Sequence, residues 1–114
     1  MIRNLTILLL LSLSFGQFQP QTTEELQEAV DLWVSDNAEA LSTYGEINTW
    51  DVSLIDDMSE LFRDKSTFND DIGNWDVSGV TTMYQMFEAA DALSDENKCA
   101  IHTAFSSNDA WPYY

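Results

Sequence analysis

The stretch "NWDVSGVTTMYQMF", residues 74–87, decides the reading, because residues 49–62, "TWDVSLIDDMSELF", have already said nearly the same thing. Trp50 and Trp75 stand 25 positions apart, each followed by Asp-Val-Ser. Aligning the two segments gives identity at Ile47/Ile72, Trp50/Trp75, Asp51/Asp76, Val52/Val77, Ser53/Ser78, Met58/Met83 and Phe62/Phe87. Ile55/Val80 and Leu61/Met86 are conservative pairs. The matches gather at apolar positions, as a shared core requires. A period of this length falls in the range of leucine-rich repeats, in which each unit supplies a strand and a helical segment. Ile47-x-x-Trp50-x-Val52 and Ile72-x-x-Trp75-x-Val77 fit the strand part of that template. Met58, Leu61 and Phe62, like Met83, Met86 and Phe87, then fall at i, i+3, i+4, the spacing of one helical face. The expected fold class is an α/β repeat: a short leucine-rich-repeat-like solenoid of about two strand–helix coils, residues 47–93, closed at each end by a capping helix.

A repeat unit cannot bury its own apolar edge and must stack against a copy. The tryptophans are the large inward fillers of such a stack. Being in phase with valine and isoleucine, they read as packing rather than as sugar-stacking or cofactor-binding rings. The expected core is therefore Ile47, Trp50, Val52, Met58, Phe62, Ile72, Trp75, Val77, Met83 and Phe87. Phe68, the apolar residue of "RDKSTFNDD", is expected to plug the core beneath a loop. On the N-terminal side, residues 22–46, Thr22 followed by Glu25 is a capping-box signature. Leu26, Ala29, Val30, Trp33 and Val34 form an apolar stripe behind it. On the C-terminal side, residues 94–114, Ser94 is an N-cap candidate, with Ala100, Ile101, Ala104 and Phe105 on one face.

The first sixteen residues stand apart. Arg3 precedes an apolar run from Leu5 to Phe15, too short for the roughly 20 residues of a membrane span. With small residues at Ser14 and Gly16 this reads as a secretory signal peptide, residues 1–16, cleaved after Gly16. Residues 17–21 are expected to be a tether. Removing sixteen of 114 residues leaves 98, one modest domain, with no transmembrane segment. It keeps three cations, Arg63, Lys65 and Lys98, against all twenty acids, a net charge of −17. Phosphate backbones repel such a chain, so nucleic acid is excluded as a partner. Cys99 is the sole cysteine, so no disulfide can close within the chain.

The repeated phrase W-D-V-S-x-V/I-x-x-M-x-x-L/M-F, with "LQEAVDLW" and "YGEINTWDVS" before it, resembles the BspA-like leucine-rich-repeat surface proteins, the bacterial and mycoplasma-type repeat family. The resemblance covers roughly residues 26–93, and "LSDENKCAIHTAFSSNDAWPYY" is similar to a segment seen after such repeats. It implies export, a solenoid fold, adhesion or protein binding at the cell surface, and no enzymatic activity.

The candidate contact strip is the outward face of the two strands: Thr49, Asp51 and Ser53 with Asn74, Asp76 and Ser78. Its partner would be an extracellular protein or surface. Equivalent positions of stacked coils lie about 4.8 Å apart, so Asp51 and Asp76 could gather a cation, calcium by its liking for hard oxygen ligands. The competing expectation is that each aspartate closes an Asx-turn onto backbone two residues on. No other cofactor is expected. His102, near Cys99, lacks the third group that a nucleophilic site needs. Two alternatives to a binding module stand beside it: a structural spacer of a longer surface protein, and a metal-dependent enzyme using the acidic strip.

Overall fold

The computed structural model describes residues 16–113; the expected signal peptide lies almost wholly outside them. The chain forms a small helical domain. Its helices are α1 (Thr23–Ser35), α2 (Asn37–Tyr44) and α3 (Asp95–Phe105), with a single 3₁₀ turn at Ile47–Thr49. The expected strand–helix solenoid is not present. No strand occurs among the described residues, which hold one isolated parallel bridge, between Asp57 and Thr82.

The expected helical segments of the repeat fail for an identifiable reason. Glu60 and Gln85, in the middle of each, have φ of 60° and 51°, the left-handed region that a right-handed helix excludes. Asp64 and Ala89, again 25 positions apart, have φ of 62° and 60°. Each of these four is the third residue of a four-residue turn: Met58–Leu61, Phe62–Lys65, Met83–Met86 and Phe87–Ala90. Consecutive turns place apolar side chains at the i, i+3, i+4 spacing that also marks a helix. The strand template fails similarly, since each half opens in a turn, Trp50 N–H bonding Ile47 O and Trp75 N–H bonding Ile72 O.

The two copies nevertheless lie against each other in register. Met58, Glu60, Phe62 and Asp64 donate their N–H groups to the carbonyls of Thr82, Tyr84, Met86 and Glu88 at 2.9, 2.8, 2.9 and 2.8 Å. Thr81 N–H returns a bond to Asp56 O. Between the copies Trp50 and Trp75 are stacked, centroids 6.3 Å apart and planes 20° apart. Trp50 Nε1–H donates to Gly45 O, and Trp75 Nε1–H to Ile47 O at 2.8 Å, so both indoles are buried with their donors satisfied. Phe68 stacks on Phe62 at 4.2 Å. Ile47, Val52, Met58, Ile72, Val77 and Met83 are buried with them, while Phe87, at the end of the second copy, is only partly buried.

The ends are closed differently. At the first copy, α1 begins where Thr22 Oγ1 accepts from Glu25 N–H, and Glu25 Oε1 accepts from Gln21 N–H. Leu26, Ala29, Val30 and Trp33 face the core. Thr23 Oγ1 donates to Asp57 O and Gln27 Nε2 to Leu61 O, so α1 satisfies outward carbonyls of the first copy with side chains. Asp36 ends α1 and caps α2, and Gly45, at φ 81°, ends α2. The expected tether is instead packed. Asp51 N–H donates to Phe18 O, Phe18 lies against Tyr44 and Trp50, and Pro20 is buried.

One expected outcome follows from the left-handed turns. A non-glycine residue there costs about 1 kcal/mol or more, against about 0.5–1 kcal/mol of extra chain entropy for glycine. Ala89 is exposed, so Ala89→Gly is expected to raise the melting temperature by about 2–4 °C in calorimetry, with Ala89→Val lowering it.

Candidate functional site

The expected contact strip is occupied largely with its own backbone. Asp51 Oδ1 accepts from Ser53 N–H at 3.0 Å and Oδ2 from Gln19 Nε2 at 2.8 Å. Asp76 Oδ1 accepts from Ser78 N–H at 3.0 Å and from Ser78 Oγ at 2.6 Å. Both aspartates close Asx-turns. Thr49 Oγ1 is held by Glu46 O, and Asn74 N–H by Asn48 Oδ1. Asp51 and Asp76 are close enough for the first charge to push up the second carboxyl, though this is the weakest influence on it. No cluster of three or more His, Cys, Asp or Glu is arranged to hold a metal among the described residues, and the geometry gives Asp51 and Asp76 turn-closing partners instead.

Ser78, through its hydroxyl and then its N–H, holds the Asp76 carboxyl below the usual carboxylate range; Ser53 acts likewise on Asp51. A carboxyl depressed by folding stabilises the fold above its unfolded value, and that contribution is lost as pH falls through the folded one. The window therefore lies below about pH 4. In about 0.5 M salt, where general repulsion is screened, Asp51→Asn/Asp76→Asn is expected to melt slightly lower than the parent at pH 7. The difference is expected to shrink as pH falls below about 4; a difference unchanged with pH would mean that the carboxylate charge is not what these turns use.

The second acidic stretch, Phe68 to Asp71, has a joining role that the sequence did not announce. Asp70 Oδ2 accepts from Trp33 Nε1 of α1 at 2.9 Å. Asn69 Oδ1 accepts from Ser94 N–H and Asn97 Nδ2 at the start of α3. The linker thus clasps both flanking helices. Runs of Asn and Asp signal turns in sequence, but their distant partners lie 25 or more positions away.

A different surface is built as a receptacle. Between the second copy, α3 and the tail lies a groove of about 580 Å³. It is lined by Phe87, Leu93, Ile101, Trp111 and Tyr113, with Asp91, Lys98 and Cys99 among its polar members. That size and apolar lining match ordinary ligand sites. Trp111 is buried against Phe105 and Phe87, and its Nε1–H donates to His102 Nδ1 at 3.0 Å. This bond occupies the imidazole nitrogen and ties the tail to α3. Asn108 Nδ2 donates to Val77 O and Val80 O, and Tyr113 Oη accepts from Phe87 N–H at 3.0 Å. The groove was missed in sequence because "SSNDAWPYY" carries no periodic pattern; the only signal was its density of aromatic rings.

Two turn-rich copies of one phrase, clasped by helices and open on an aromatic groove, define a repeat-containing helical domain. The chain belongs to the mycoplasma protein family of unknown function DUF285, whose model matches residues 21–107. No curated protein and no solved structure gives a match. No helix among the described residues is long and apolar enough to cross a membrane.

Proposed function

We propose that the chain is an exported, non-catalytic binding module at the cell surface, close in role to the BspA-like surface proteins, and that the aromatic groove is its contact surface. The groove carries this reading: apolar and aromatic side chains converge on an opening of about 580 Å³ rather than filling it. The polar strip along the repeats contributes less, since both its aspartates are committed to their own turns. Export rests on the leader-like first sixteen residues.

Two measurements test it. A C-terminally tagged chain is expected in the extracellular or surface fraction, beginning at Gln17; an uncleaved chain held inside the cell overturns export. Purified chain is then assayed by interferometry against immobilised extracellular-matrix proteins. Leu93→Asp, which puts a charge into the groove, is expected to weaken any binding found at least about tenfold, one charged group in an apolar contact costing more than 1.4 kcal/mol. Equal binding by that variant removes the groove from the contact surface.

A further inference from the structure

The tail is held on α3 through an acceptor that acid can remove. Trp111 is 5% exposed, its ring edge-on to those of Phe105, Phe87 and Tyr113. Its Nε1–H donates to His102 Nδ1 at 3.0 Å. The other buried indoles end on oxygen: Trp50 on Gly45 O, Trp75 on Ile47 O and Trp33 on the Asp70 carboxylate. Accepting at Nδ1 requires the neutral imidazole with its proton on Nε2. The charged ring carries a proton on both nitrogens, so no rotation of it restores an acceptor. His102 is exposed, and a proton reaches it from solvent without the core opening. It is the chain's only histidine, the side chain that ordinarily changes charge between about pH 5 and 8.

We propose that His102 is an acid-sensitive latch: neutral, it holds Trp111 and the tail on α3; protonated, it lets them go and widens the aromatic groove. Protonation sets a donor against a donor, and a buried N–H left without an acceptor destabilises the packed arrangement. The charged and titratable groups that share the groove with His102 are Lys98 and Cys99 on α3, Asp91 from the end of the second copy, and Tyr113 of the tail. None of them is hydrogen-bonded to the ring, whose one such partner among the described residues is Trp111. Nothing else there replaces the lost bond. The movement has a fixed hinge. Asn108 Nδ2 stays on Val77 O and Val80 O, carbonyls that acid does not alter. Past it, Trp111 and Tyr113 form one wall of the groove, and Tyr113 Oη alone holds Phe87 N–H. The latch acts on that wall whatever the groove binds.

Hydrogen exchange by NMR on the full chain tests this, at about pH 7.5 and about pH 5.5, a span in which imidazoles change charge and ordinary carboxylates do not. Rates are taken relative to free indole or free amide at each pH. The Trp111 indole proton is expected to lose protection about tenfold at the lower pH, the worth of one hydrogen bond. The Phe87 amide is expected to lose protection with it, while the Trp50 and Trp75 indoles hold theirs. His102→Asn puts an amide oxygen where Nδ1 lies, and acid does not charge it. In that variant Trp111 is expected to be equally protected at both pH values. A loss as large in the variant as in the parent overturns the latch. So does protection in the parent that stays level while the His102 ring titrates. The parent alone supplies a further check: a neutral His102 whose nitrogen shifts place the proton on Nδ1 also overturns it.

Discussion

Trp75→Ala is expected to cost about 3–5 kcal/mol, on the order of 2 M in the urea midpoint, out of a total that is about 5–15 kcal/mol for a domain of this kind. The indole is 3% exposed, stacked on Trp50 and 6.0 Å from Phe62. Truncation removes the ring that both copies share and leaves a hole too well walled to collapse. It also strips Ile47 O of its donor. Trp75→Phe separates the two effects. It keeps a ring in the stack and loses the N–H, so about half the loss is expected. Equal losses in the two variants would mean that the hydrogen bond, not the ring, joins the copies. Asp76→Ala, in an exposed turn one residue along, is expected to leave the fold standing.

The same substitution at equivalent places in the two copies is expected to give unequal results. Phe62 is fully buried, with Phe68 at 4.2 Å on one side and Phe87 at 5.2 Å on the other, the latter with planes 1° apart. Phe62→Ala is expected to cost about 3–5 kcal/mol by urea or thermal unfolding. Phe87 has Phe62 on one face but Trp111 and Tyr113 only edge-on, beside the groove. Less of its surface leaves water on folding, so Phe87→Ala is expected to cost roughly half as much. An equal cost would mean that the second copy is as enclosed as the first and that the groove is shut in solution.

The pairing of positions 25 apart was legible in the residues themselves. Apolar identities at Trp50/Trp75 and Met58/Met83 required the two phrases to share a core, and these side chains are buried together. The helices at either end were also legible, because Thr22 and Ser94 announce themselves as caps, each accepting from the N–H three residues on. What failed was the backbone conformation between. Glutamate, glutamine and alanine do not advertise a left-handed turn, so nothing at Glu60, Gln85 or Ala89 opposed a helical reading; only Asp64 is of a type that tolerates that conformation. At Glu60 and Asp64 the N–H groups end on Tyr84 O and Glu88 O of the neighbouring copy, contacts that the local sequence does not carry. The break between α1 and α2 at Asp36 was passed over because the apolar stripe runs on to Val34, and only the Asp36–Glu39 cap marks the second start. The contact strip turned on a related ambiguity. An Asp-x-Ser phrase reads equally as an offered carboxylate and as one turned back on its own chain, and here the carboxylate is turned back.

Thr23 and Gln27 have a consequence for how these molecules can associate. With their side chains seated on Asp57 O and Leu61 O, two outward carbonyls of the first copy are already taken. A neighbour's second copy stacking there would have to displace both, which opposes end-to-end accretion. Two side chains on a single helix thus work against growth into a fibre.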